Sequence, residues 1–126
     1  MIAKNVHHIS FSVSDLERSQ RFYEDVLGLV EIPRPDLGLP GAWYGAGNSE
    51  VHLIARPKGV DVGKGPASLS PLANHQAFAI DDYAGCLAFL ESRDVEVMST
   101  NPERGQMWIQ DPDGNVIELI APAAGS

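Results

Sequence analysis

The chain has 126 residues, 44% hydrophobic and 21% charged, an ordinary globular composition and length enough for a domain with its own core. Its formal net charge of −8, from 9 basic against 17 acidic residues, repels phosphate backbones and argues against nucleic acid as a partner. No run approaches the roughly 18 consecutive apolar residues of a membrane span, the start "MIAKNVHHIS" lacks a signal-peptide pattern, and the single cysteine, Cys86, allows no intramolecular disulfide; a cytoplasmic protein that meets neither membrane nor nucleic acid is expected.

Residues 5–13 alternate as a strand does. His7 and His8 stand side by side there, so they are expected on opposite faces: His8 with Ser10 and Ser12, His7 with Ile9, Phe11 and Val13. Ser14, with Glu17 three residues on, reads as a capping box and is the expected N-cap of a helix. Leu16, Ser19, Tyr23 and Val26/Leu27 carry the helical stripe, and Gly28 ends it as a left-handed cap. Strands are expected near 29–33, 42–46 and 50–55, with "PRPDLGLPG" (33–41) as a loop. The segment 57–74 is a long connector, of a length that tends to be functional or mobile. A strand at 75–80 and a helix at 82–92 follow, the helix carrying Tyr83, Cys86, Leu87 and Leu90 at i, i+3, i+4, i+7. Strands near 95–99, 106–110 and 116–121 complete the chain, with "DPDG" (111–114) as a turn.

The order is βαβββ, twice. Laid over one another, "HISFSVSDLERSQRFYE" (8–24) and "HQAFAIDDYAGCLAFLE" (75–91) match Phe11 with Phe78, Asp15 with Asp82 and Phe22 with Phe89. "VHLIA" (51–55) matches "IELIA" (117–121) after a one-residue loop indel. Such duplication predicts an α+β domain spanning residues 1–126, with module one at about 5–56, a linker at 57–74 and module two at about 75–121.

The repeat brings four side chains to two pairs of equivalent positions. His8 matches His75 in the first strands, and His52 matches Glu118 in the last. Each is expected on the face away from its helix. Three neutral imidazoles and a carboxylate suit one divalent first-row metal ion: zinc, nickel, cobalt, manganese or iron. The plainer alternative is a set of satisfied polar residues near strand ends. Ser10, Tyr44, Trp108 and Gln110 are candidates to line the same cavity, Tyr44 as the repeat partner of Trp108 and Gln106 just beside them. Arg34, Arg56, Lys58 and Arg104 lie in or beside loops, where they could bind an anionic substrate or simply be solvated.

"HHISFSVSDLERSQRFYEDVLGL" together with "DPDGNVIELI" resembles the vicinal oxygen chelate superfamily, which groups glyoxalase I, methylmalonyl-CoA epimerase, fosfomycin-modifying thiol transferases, extradiol dioxygenases and bleomycin-binding proteins. The resemblance covers nearly the whole chain. It implies two βαβββ modules paired into a cupped mixed sheet around one metal, with the helices outside and His8, His52, His75 and Glu118 as ligands. It further implies a metal-dependent lyase or isomerase of the glyoxalase type, acting on a small oxygen-bearing molecule through a metal-stabilised enediolate or alkoxide. Glu118 is then both ligand and candidate proton carrier. A homodimer is expected. The alternatives are an antibiotic- or metabolite-binding resistance protein and an extradiol dioxygenase-like oxygenase. Three departures from the family patterns bear on activity. His52 stands where glyoxalases carry Glu or Gln. Ser12 stands where bacterial glyoxalase I has an Arg for glutathione. After Glu118, "LIAPAAGS" offers no basic residue for a phosphonate.

Overall fold

A computed structural model describes residues 2–122. The chain divides into two compact units, Met1–Gly63 and Lys64–Ser126. Each contains the βαβββ order read from the sequence.

In the first unit, β1 (His8–Val13) leads into α1 (Leu16–Arg21), which runs on into a π-helical turn, Phe22–Val26. The helix starts one residue later than the capping box implied. Asp15 has the extended backbone an N-cap needs (φ −137°, ψ 103°), and its carboxylate accepts the Arg18 backbone N–H at 3.1 Å. Ser14 Oγ instead accepts from Arg18 Nη2 at 3.0 Å. The Leu27 N–H reaches back five residues to the Phe22 carbonyl, and Gly28 then takes φ 71°. That conformation is cheap only for a residue without Cβ, so the chain reverses there.

Strands β2 (Val30–Ile32), β3 (Gly41–Ala46) and β4 (Ser49–Ala55) follow. The sheet order is β1-β4-β3-β2, with β1 parallel to β4 and the other pairs antiparallel. Alternation places Val13, Val51, Leu53 and Tyr44 on one face, where they are fully buried together with Tyr23 of the π turn. Phe11 packs on Tyr23 with ring centroids 5.7 Å apart. The Tyr44 hydroxyl donates to Glu24 Oε2 at 2.7 Å, tying β3 to the helical segment. The helical layer therefore covers this face, and the His52 face points away from it.

The second unit repeats the plan with β5 (His75–Ala79), α2 (Tyr83–Ser92), β6 (Met98–Ser99), β7 (Gln106–Gln110) and β8 (Val116–Ile120), in sheet order β5-β8-β7-β6. Asp82 caps α2 as Asp15 caps α1, accepting the Gly85 N–H at 3.1 Å. Leu90, Met107, Ile109, Ile117 and Leu119 form the buried core. β6 is shorter than the expected 95–99 because the helix end consumes its first residues. Asp94 takes φ 56°, and the Val95 and Asp94 N–H groups close back on Leu90 and Glu91. The DPDG turn forms around Asp111, whose Oδ1 accepts the N–H groups of Asp113 and Asn115 at 2.9 Å each. The end of the connector is packed rather than free: Leu69 and Ala73 lie against Trp108 and Val116. Among the described residues, no helix is long and apolar enough to cross a membrane.

Candidate functional site

In the first unit, strand register assembles a row of side chains on the open face. Ser10 of β1 stands beside His52 of β4, and Trp43 of β3 stands beside His52 on its other flank. The His8 ring stacks on His52 with centroids 4.0 Å apart and planes within 15°. Trp43 stacks on the opposite side at 4.2 Å and 6°. His52 is thus held between two rings and is only 6% exposed, while its edge nitrogens stay available for bonding. His52 Nε2 and Glu50 Oε1 lie 2.9 Å apart. With Nε2–H donating, Nδ1 keeps its lone pair. The hydrogen bond from His52 holds the Glu50 carboxyl below its ordinary range.

His7 lies outside the strand, so the alternation rule does not govern it. Its Nδ1 is 2.9 Å from His8 Nδ1, and the two rings meet edge to face. The expected separation of the two histidines onto opposite faces is therefore corrected: His7 is a neighbour of the ring stack. Desolvation, followed by the adjacent imidazoles of His52 and His7, lowers the His8 pKa, against a smaller opposing pull from Glu50. His8 is accordingly neutral at pH 7.

In the second unit, His75 of β5 and Glu118 of β8 meet on the corresponding face. His75 Nε2 lies 3.0 Å from Glu118 Oε1, and His75 Nδ1 lies 2.7 Å from the Ala73 carbonyl, to which it donates. Trp108 Nε1–H donates to Glu118 Oε1 at 3.1 Å, and Gln106 Nε2–H donates to Oε2 at 3.4 Å. The carboxylate is buried, 8% exposed, and oriented from both sides. Trp108 stands beside Glu118 across the β7–β8 pair.

Among the described residues, no group of three or more His, Cys, Asp or Glu is gathered so as to hold a metal ion. Each unit presents a pair: His8 with His52, and His75 with Glu118. Of the other expected pocket residues, Ser10 is exposed beside His52, and Trp108 lies against Glu118. Tyr44 is a correction. It lies on the helix-covered face, fully buried and bonded to Glu24, and burial followed by that hydrogen bond raises its pKa. The structural counterpart of Trp108 is Trp43, because the hairpin between the last two strands is one residue longer in the second unit, and a one-residue slip moves a side chain to the other face. The Gln110 amide is engaged by the Gly114 carbonyl at 3.2 Å, so Gln106 rather than Gln110 reaches Glu118. Arg104 is exposed in the turn before β7, its backbone N–H held by Asn101 Oδ1. Sequence reasoning missed Trp43 and Glu50. Both share a strand face with, or across from, His52, and exact register would have found them.

The match to the Glyoxalase/Bleomycin resistance protein/Dioxygenase superfamily extends over residues 5–119, and the chain belongs to that superfamily. It is 29% identical over 121 residues to Glyoxylase I 4 of Arabidopsis thaliana, covering 91% of this chain and 69% of the relative. It is 32% identical over 124 residues to the lactoylglutathione lyase of Haemophilus influenzae, covering 90% and 89%. In structure it is similar to TnmS3, an antibiotic binding protein from Streptomyces sp. CB03234, with a TM-score of 0.73, 26% identity, and 98% and 99% of the two chains covered.

Proposed function

We propose that the protein is a divalent-metal-dependent enzyme of the glyoxalase type, acting on a small oxygen-bearing substrate, with His8, His52, His75 and Glu118 as ligands. The observation that carries this reading is the His75–Glu118 contact. With Nδ1–H committed to the Ala73 carbonyl, the uncharged form of the His75 ring turns a lone pair on Nε2 toward a carboxylate oxygen 3.0 Å away. Two acceptors at that distance repel unless a proton or a cation lies between them. His75 and Glu118 would both be satisfied by holding a metal ion, and a carbonyl behind the second ring nitrogen is the usual support of a ligating histidine. The stacked His8–His52 pair of the first unit would contribute two further imidazoles.

When bound, such a metal supplies Lewis acidity toward charge developing on a substrate oxygen. The chain's own residues do the rest. Trp108 and Gln106 hold the Glu118 carboxylate in one orientation, so that a proton taken or given at its oxygens moves along a fixed direction. Stacking fixes His52 and, with it, Glu50, a second base on the same face. The identity to a lactoylglutathione lyase supports a lyase or isomerase, while Ser12 argues against lactoylglutathione itself as substrate.

Elemental analysis tests the reading. The purified protein should carry one divalent ion per ligand set, and His75→Ala should lower metal affinity beyond the roughly 10- to 100-fold typical of outer-shell changes. Full metal retention by His75→Ala defeats the assignment. A second reading, a non-enzymatic binder of an antibiotic or metabolite in the cytoplasm, draws support from the likeness to TnmS3. A metal-free protein that still binds a small molecule on this face would favour it.

A further inference from the structure

The first unit holds one basic side chain with an unusual setting. Arg34, in the loop between β2 and β3, has its Nε buried without a hydrogen-bond partner. A buried N–H left unpaired costs stability, so such a donor marks a place where a partner from outside the chain completes the site. Asp36, two residues on, is engaged locally: its Oδ1 accepts the Gly38 N–H at 3.0 Å.

Its position is set by a glycine. The Arg34 side chain lies against Gly41, where an added Cβ would come within 2.9 Å of both Cζ and Nε and would collide with the Leu53 carbonyl oxygen. Gly41 thus leaves the room the guanidinium fills. Gly41 precedes Trp43 by two residues on β3, so both face the same side of the sheet, the side of the His8–His52–Trp43 stack. Gly45 and Ile32 repeat the pattern at the other end of the strand, with Ile32 Cγ2 lying 3.6 Å from a Cβ built on Gly45. Two residues of strand are about 7 Å, so the cation lies about that far along the face from the stacked rings.

We propose that Arg34 forms an anion subsite on the open face of the first unit, binding an oxyanion group of the substrate, a carboxylate or a phosphate, beside the histidine stack. The inference rests on the reading that this face takes the substrate, and it names that substrate as anionic. It also separates Arg34 from Arg56, Lys58 and Arg104, the other loop cations the sequence offered.

The test observes Nε directly. In the 15N-labelled full-length protein stripped of metal by a chelator, the Arg34 Nε–Hε resonance, assigned by its loss in Arg34→Lys, is followed during titration with inorganic phosphate. A matching chloride titration controls for ionic strength. The resonance should shift saturably with phosphate and not with chloride. Arg34→Lys, which keeps the charge but loses the planar fork, should bind phosphate at least about tenfold more weakly. A shift that chloride reproduces overturns the proposal, as does no shift, or unchanged phosphate affinity in Arg34→Lys. The stripped protein keeps this result apart from the metal reading: a chain that binds no metal yet shows the Arg34 shift retains the subsite and loses the metal assignment.

Discussion

His75 illustrates how one residue's two ends divide the work. Its Nδ1 is fixed by the Ala73 carbonyl, and that bond decides which nitrogen faces Glu118. Ligation needs neutral imidazoles, and protons compete with the metal for each ring. Metal affinity should therefore fall as pH drops below about 6.5, the ordinary imidazole value. A metal affinity that is constant from pH 7 to pH 5, measured by competition with a chelating dye, contradicts a three-histidine site. Tyr44 makes the opposite point. Its hydroxyl serves the helix contact, so Tyr44→Phe should cost about 1 kcal/mol of stability in urea melts and leave metal binding unchanged. A change in metal content would return Tyr44 to the site.

Strands carry the candidate ligands, and helix ends are where local rules act most clearly. Asp15 and Asp82 occupy equivalent positions with nearly the same backbone angles and the same capping bond to the third residue on. Asp82→Ala should destabilise the protein by about 1 kcal/mol, since it removes the acceptor for the Gly85 N–H and the favourable charge at the helix start. The denaturation midpoint of Asp82→Asn, which restores an acceptor, should lie nearer the parent protein than that of Asp82→Ala. Equal midpoints for the two variants would show that the cap contributes nothing. The same paired geometry explains the sheets: a parallel first–last strand pair in each unit puts His8 next to the β4 row and His75 next to the β8 row.

For the whole molecule, we propose a homodimer. Each sheet ends on strands, β1 and β2 or β5 and β6, whose outer edges are unpaired within the sheet, and such edges are usually covered. A closed two-fold pair is the commonest way for a chain to do so with a copy of itself. Should the ligand pairs of the two units be drawn from different chains, mixing His8→Ala with His75→Ala would rebuild sites. One site of each mixed dimer would carry both lesions and the other none. Co-expression followed by metal quantification should then recover up to half of the sites in such mixed dimers. A stable dimer without recovery would mean that each chain completes its own set, and a monomer by light scattering at micromolar concentration would remove the dimer altogether.

The sequence by itself determined the duplication, the order of the elements and the four ligand-type positions. These follow from periodicity and from matched segments such as "VHLIA" and "IELIA", which local chemistry writes plainly. Tertiary structure decided what depends on register and on long-range contact. A single extra residue in one hairpin made Trp43, not Tyr44, the counterpart of Trp108. A ring just outside β1 brought His7 against His8. Burial alone distinguished Arg34 from the other loop cations. Side-chain alternation has a period of two, so counting along one strand reveals its faces, but only the paired neighbour reveals which residues stand side by side.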